Sequence, residues 1–304
     1  MSSDPGVPTG RERLFLILAT LITAVLGTIF SSVLVLAPAP LAVLLYRHGL
    51  RTGITTALLS GIVVGGLMQH PIPLILILFM LGLGVALGEA WRDGLSLRQT
   101  LVVGWAAAFL AFGAFFYVSR LVFGVDLLDE TLKLWIEQLD RIGTTAGGAL
   151  ALSEKELVAV TDHLRMVWPA MTAMSSAFVC FVNYWIAGRW LQRLGAKIPW
   201  FPPFGLWRLP WYYTWGYIAG VGLPLLPWTS QASWLLALAA NLEMVFRFVF
   251  AIQGLAVVWF YLSRWNVRRW AAITVTVLLT LLTPLMVLVG LLDSWFDLRR
   301  LDLL

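Results

Sequence analysis

The chain has 304 residues, of which 60% are hydrophobic and only 12% charged, whereas a soluble domain carries roughly 25% charged residues. With a mean hydropathy of +0.85 it cannot cover its own surface with polar groups, which excludes a soluble enzyme and a disordered tail. The net charge of +5 comes from Lys and Arg scattered between apolar runs, so it speaks for membrane orientation and against nucleic-acid binding.

Arg11 and Arg13 precede an apolar stretch, as in a signal peptide, but that stretch continues to Tyr46 with no soluble domain after it, so it is expected to be retained. Crossing a hydrocarbon core about 30 Å thick takes roughly 20 helical residues. The predicted spans are Leu14 to Ser31, Val33 to Tyr46, Thr52 to Gln69, Ile72 to Glu89, Thr100 to Phe123, Val167 to Gly188, Trp211 to Trp228, Trp234 to Leu262 and Trp270 to Leu292. The fold class expected is therefore all-α, a polytopic bundle of about nine spans. The second run is short and holds Pro38 and Pro40, which lack amide donors, so a half-length or re-entrant element is an alternative there.

In the first span, Ala19, Thr23, Gly27 and Ser31 form a row of small residues spaced by four, next to a row of Thr20, Ala24, Thr28 and Ser32. Such rows let another backbone approach closely, either a partner's or one from the same chain. Gly53, Ala57, Gly61 and Gly65 form a third row, and Gly84 and Gly88 repeat the spacing.

Between the fifth and sixth spans lies the one long external stretch. Leu128, Leu132, Trp135, Leu139 and Ile142 share one helical face there, with Asp129, Glu130, Lys133, Glu137 and Asp140 off it. Two roles fit this amphipathic helix: a lid over a cavity open to the outside, or a helix lying at the lipid interface. Ser153 and Glu156 then have the spacing of a capping box, predicting a second helix that runs into the span containing Pro169. The expected organisation is residues 1–123 as N-terminal transmembrane helices, 124–165 as the external segment, and 166–304 as C-terminal transmembrane helices.

The connection at 195–211 and the residues just beyond are rich in Trp, Tyr and Phe and stiffened by Pro199, Pro202, Pro203 and Pro210. Amphipathic rings settle at headgroup level, so this reads first as an interfacial anchor. Arg47, Arg51, Arg92, Arg98, Arg189, Arg193, Lys197, Arg208, Arg264, Arg268 and Arg269 all fall on alternate connections. The positive-inside rule places those connections and the N-terminus in the cytoplasm and, with nine crossings, the C-terminus outside.

Ionisable groups within a bilayer are costly, so each is a candidate for function. The span from Trp234 to Leu262 carries Asn241, Glu243, Arg247 and Gln253. Glu243 and Arg247, four apart, can pair in the interior, whereas Asn241 and Gln253 each point roughly 120° away from that face. Asn183 and Tyr184 in the sixth span, with Ser175 and Ser176, are the other candidates for a polar ligand-binding interior. Structural glue between helices is the alternative for all of them. The lone Cys180 and the dispersed His48, His70 and His163 suggest neither disulfide nor metal. No nucleophile motif, zinc motif or nucleotide loop occurs, so no catalytic residue, cofactor or enzyme activity is expected.

Arg47-His48-Gly49-Leu50-Arg51, the Pro202, Pro203, Phe204, Trp207 and Pro210 pattern, and Asn241 followed by Gln253-Gly254-Leu255-Ala256-Val257-Val258 resemble the YybS-like family of predicted bacterial membrane proteins. The N-terminal half of that family is thought to be similar to the substrate-binding S component of energy-coupling-factor transporters. The resemblance implies a transport-like fold in the bacterial cytoplasmic membrane, a small-molecule substrate, and docking of a membrane partner at Ala19, Thr23, Gly27 and Ser31. The alanine pair of S components is absent. A scaffold for cell-envelope proteins is the alternative function.

Overall fold

The computed structural model describes residues 9–29, 33, 35–68, 71–145, 153–227 and 232–301, and no strand occurs among them. Its helices are α1 (Gly10–Ile29), α2 (Pro38–His48), α3 (Leu50–Met68), α4 (Pro71–Arg92), α5 (Leu97–Phe123), α6 (Leu127–Thr145), α7 (Glu154–Arg193), α8 (Tyr213–Gly222), α9 (Ser233–Arg264), α10 (Arg269–Leu279) and α11 (Thr283–Phe296). Among the described residues, five segments are long and apolar enough to cross a membrane: Leu50–Leu67, Leu97–Val122, Lys155–Arg193, Ser233–Arg264 and Arg269–Phe296. The chain folds as two compact units, one of Met1–Leu152 with Thr172–Trp200, the other of Ser153–Met171 with Phe201–Leu304. Helix α7 thus contributes its first part to the second unit and the rest to the first.

The core of the first unit is α2. Pro38 to Leu45 are all buried, although the helix has only 11 residues, about 16 Å of rise. Its prolines start the helix instead of breaking it, because first-turn amides have no partner within a helix to lose. Glycines seat it. A Cβ on Gly84 would lie 2.7 Å from the Pro38 carbonyl oxygen, and one on Gly88 3.0 Å from that of Ala42, so α2 runs alongside the second half of α4 in the same direction. The half-length alternative for the second run is the one realised.

At the end of α2, Arg47 donates two hydrogen bonds to Glu12 of α1, at 2.7 and 2.9 Å. The start of α1 and the end of α2 therefore share one end of this unit, as expected if the first two runs turn back on each other. The Arg47 guanidinium holds the Glu12 carboxyl below its ordinary value of 4.5. A carboxylate with a depressed folded pKa contributes stability that is complete above the unfolded pKa and is lost as pH falls through the folded one. Between pH 5 and 3 the melting temperature of the wild type is expected to fall more steeply than that of Glu12→Gln. Parallel curves in thermal scans would remove the pair from the stability of this corner.

The amphipathic helix forms as α6, after α5 ends at the left-handed Gly124, φ +66°. Leu132 of its stripe is buried while Trp135 is exposed; the Leu139 and Ile142 side chains lie outside the described residues. The Ser153 and Glu156 capping box is present, each residue bonding the other's backbone. It opens α7, whose 40 residues run through Pro169.

In the second unit α8 packs on α9 through Gly216 against the Phe246 ring and Gly220 against the Glu243 backbone. Helix α11 crosses α9 with Gly254 on the Met286 carbonyl and Gly290 on the Phe250 carbonyl, closer than any side chain allows. Beyond this crossing, Asp293 meets Gln253 and the Leu298 carbonyl accepts from the Tyr261 hydroxyl at 2.7 Å. Along both helices these contacts advance toward the C-terminus, so α11 runs in the same direction as α9.

Helix α10 must then travel back from the end of α9 toward its middle, and the chain reverses through the 3-10 turn Thr280–Leu282. The segment expected as one span from Trp270 to Leu292 is built of two helices, α10 and α11, joined by that turn. Hydropathy could not register this, because the reversal is made by apolar residues and threonines. It returns residues 297–301 to the end of the unit where α9 finishes.

Candidate functional site

The candidate residues fall into both units, Asn183 and Tyr184 in the first and Asn241, Glu243, Arg247 and Gln253 in the second. Asn183 is fully buried. Its Nδ2 donates to the Val35 carbonyl at 2.7 Å and to that of Val179 at 2.8 Å, gripping the turn at Val35 to Ala37 that leads into α2. The Asn183 Oδ1 meets no hydrogen-bond donor among the described residues. Tyr184 is also buried; its ring stands edge-on to Trp91, centroids 5.0 Å apart, and its hydroxyl donates to the Pro199 carbonyl. Of the neighbouring serines, Ser176 is buried and bonds back to the Thr172 carbonyl, while Ser175 faces outward.

Asn241 repairs α7. Proline 169 has no amide hydrogen and its ring opens the local turn. The Asn241 Oδ1 accepts from the Ala170 amide at 2.7 Å while its Nδ2 donates to the Met166 carbonyl at 2.7 Å. One side chain thereby stands in for the Ala170-to-Met166 bond of a regular helix. Glu243 and Arg247 do pair, at 3.6 Å, but 35% and 51% of their side chains remain exposed. The interior location expected for this pair is not adopted.

Gln253 belongs to a buried network whose other members escaped sequence reasoning. Its Oε1 accepts from the Leu209 amide at 2.8 Å and its Nε2 donates to Asp293 at 2.8 Å. Arg299 clamps Asp293 from Nε at 3.2 Å and Nη2 at 2.7 Å. Its remaining donors reach the carbonyls of Gly205 and Trp207. Both charged side chains are fully buried. The proline-rich aromatic segment is thus tied to the C-terminal residues through an enclosed ion pair. The only sequence signal was an acid and an arginine flanking the end of the last apolar run, six residues apart.

The small rows of α1 turn largely inward. Thr20 and Ala24 are fully buried and Gly27 is buried too, whereas Ala19 and Thr23 are half-buried; Ser31 and Thr28 lie outside the residues whose side chains are described. The outer face of α1 carries Leu14, Phe15, Leu18 and Ile22.

This arrangement of buried polar ties between apolar helices matches known sequences along its length. The family described as predicted membrane protein (DUF2232) matches residues 14–295. The chain belongs to this DUF2232 family. It is similar to the uncharacterised protein YybS of Bacillus subtilis (strain 168), with 27% identity over 298 residues that cover 94% of each chain. The YybS-like resemblance read from the motifs is therefore borne out. No solved structure matches. Membership in DUF2232 identifies the chain as a membrane protein and assigns it no reaction.

Proposed function

We propose that this DUF2232 protein is a non-catalytic subunit of the bacterial cytoplasmic membrane that binds a small molecule for transport and depends on a partner or an ion gradient for energy. The observation that carries the reading is α2, a half-length helix in the core of the first unit, entered through an irregular turn. Irregular backbone at membrane depth is tolerated where it is buried in protein or lines a wet cavity, and discontinuous helices build the substrate sites of many transporters. Beside that turn Asn183 keeps a buried acceptor without a donor among the described residues. The resemblance to S components would place a docking surface on α1 at Ala19, Thr23, Gly27 and Ser31, of which Gly27 is buried and Ala19 and Thr23 are half-buried.

Small molecules released from the purified protein and identified by mass spectrometry are the test. One compound should recur in wild-type preparations and fall at least about tenfold in Asn183→Leu, the loss of a buried hydrogen bond to a ligand being worth about 1.5 kcal/mol. Equal recovery from both proteins, or none from either, removes this reading. The scaffold alternative is favoured by Asn241 and Gln253, whose polar atoms are engaged in internal bonds; it predicts stable protein partners without a ligand.

The topology we adopt has eight crossings, with α2 and α8 as partial helices, and α10 and α11 as a re-entrant hairpin. The nine-span reading made Trp270 to Leu292 a crossing and put the C-terminus outside. The course of α11 supports a C-terminus at the same end of the second unit as Arg264, Arg268 and Arg269, and the positive-inside rule makes that end cytoplasmic.

A further inference from the structure

The return of α11 assembles a charged end that the sequence divides. Arg264, Arg268 and Arg269 lie in the tight connection between α9 and α10, and all three are exposed. The Tyr261 hydroxyl holds Leu298, two residues before Arg300, which is exposed as well. Four arginines are thus gathered at the end of α9. Among the described residues the acids of this end are already engaged, Asp293 with Arg299 and Asp297 with Arg208 at 3.9 Å; Asp302 lies outside the described residues. None of the four arginines has an acidic partner among the described residues.

Exposed aromatic residues are neighbours of these arginines in the chain. Trp265 follows Arg264 and is 69% exposed, Trp270 follows Arg269 and is 67% exposed, and Trp295 and Phe296, also exposed, close α11 just before Leu298. Indoles settle at headgroup level, with the ring toward the acyl chains and the N–H toward water. A guanidinium at that level meets phosphate, which it binds by paired, charge-assisted hydrogen bonds.

We propose that this arginine and tryptophan end of the second unit is a binding surface for the headgroups of anionic phospholipids. The surface attracts such lipids over zwitterionic ones because, among the described residues, no acid pairs with its four arginines, and the tryptophans fix its depth. It rests on the course of α11 and not on the transport reading, so a chain that releases no small molecule yet retains anionic lipid leaves it standing.

The test is native mass spectrometry of the full-length protein released from mixed micelles containing either phosphatidylglycerol or phosphatidylcholine. The wild type should keep phosphatidylglycerol and shed phosphatidylcholine, and raised salt should strip the bound lipid. The variant Arg264→Gln/Arg268→Gln/Arg269→Gln/Arg300→Gln, altered only at exposed positions, should hold phosphatidylglycerol several hundredfold more weakly, since each arginine near an anionic surface contributes about a fivefold factor. Lysine at the same four positions should restore the salt-sensitive attraction but hold the lipid more weakly than the wild type does, since an ammonium cannot make the paired hydrogen bonds. Inorganic phosphate alone, at millimolar concentration, should not displace the lipid. Equal retention of the two lipids by the wild type, insensitivity to salt, unchanged binding by the glutamine variant, or displacement by free phosphate each overturns the proposal.

Discussion

A reporter that is active only in the cytoplasm, fused after Leu304, is expected to be active, and the same reporter fused at the N-terminus is expected to be active too. The reason lies in three contacts that advance together along α9 and α11: Gly290 on Phe250, Asp293 on Gln253, and Leu298 on Tyr261. Opposite courses would separate Leu298 from Tyr261 by far more than a tyrosine side chain can reach. Helix α10 has 11 residues, about 16 Å of rise, and so spans only about half of a 30 Å core. An inactive C-terminal fusion combined with an active N-terminal one restores nine crossings and removes the hairpin. The contrast between the two outcomes is all or none, which is why this measurement outranks any change in stability.

Replacing Asp293 with alanine is expected to cost about 3–5 kcal/mol, because it leaves the Arg299 guanidinium buried without its counter-charge. The carbonyls of Gly205 and Trp207 would still accept from Arg299, but they carry no net charge to balance it. The double change Asp293→Leu/Arg299→Met removes both ions and fills their volume, and should recover most of the lost stability. Thermal unfolding of detergent-purified protein, followed by size-exclusion chromatography, reads this order directly: wild type, then double, then single. If the single variant is as stable as the double, the ion pair is not what fastens the aromatic segment to the C-terminal residues.

Local patterns in the sequence carried much of the fold. The helix carrying the α6 stripe and the capping box at Ser153 and Glu156 rest on patterns a few residues long, and both form, while the prolines of the second run open α2. The divergence of Asn241, Gln253 and the Glu243 and Arg247 pair around α9 was also legible from helical spacing. The structure sends them to three different surroundings: Pro169, the Asp293 network, and a half-exposed edge. Their partners were not legible. Whether Asn241 finds Ala170, or Gln253 finds Leu209, depends on which helices become neighbours, and no local spacing encodes that. The reversal between α10 and α11 escaped for a related reason. Hydropathy measures how well a segment tolerates lipid, and a hairpin packed through Gly290 on Phe250 and Gly254 of α9 tolerates it as well as a straight crossing does.

The stitch between Asn241 and the turn around Pro169 also dictates an order of events during synthesis. The Ala170 amide and the Met166 carbonyl leave the ribosome some 71 residues ahead of the side chain that joins them. Until α9 enters the bilayer, α7 therefore carries an open amide and an open carbonyl within lipid, each costly there. A nascent chain stopped before residue 241 is an incomplete membrane protein even though all of α7 has already been made. The turn at Pro169 is closed only when Asn241 is in place to accept from Ala170 and donate to Met166.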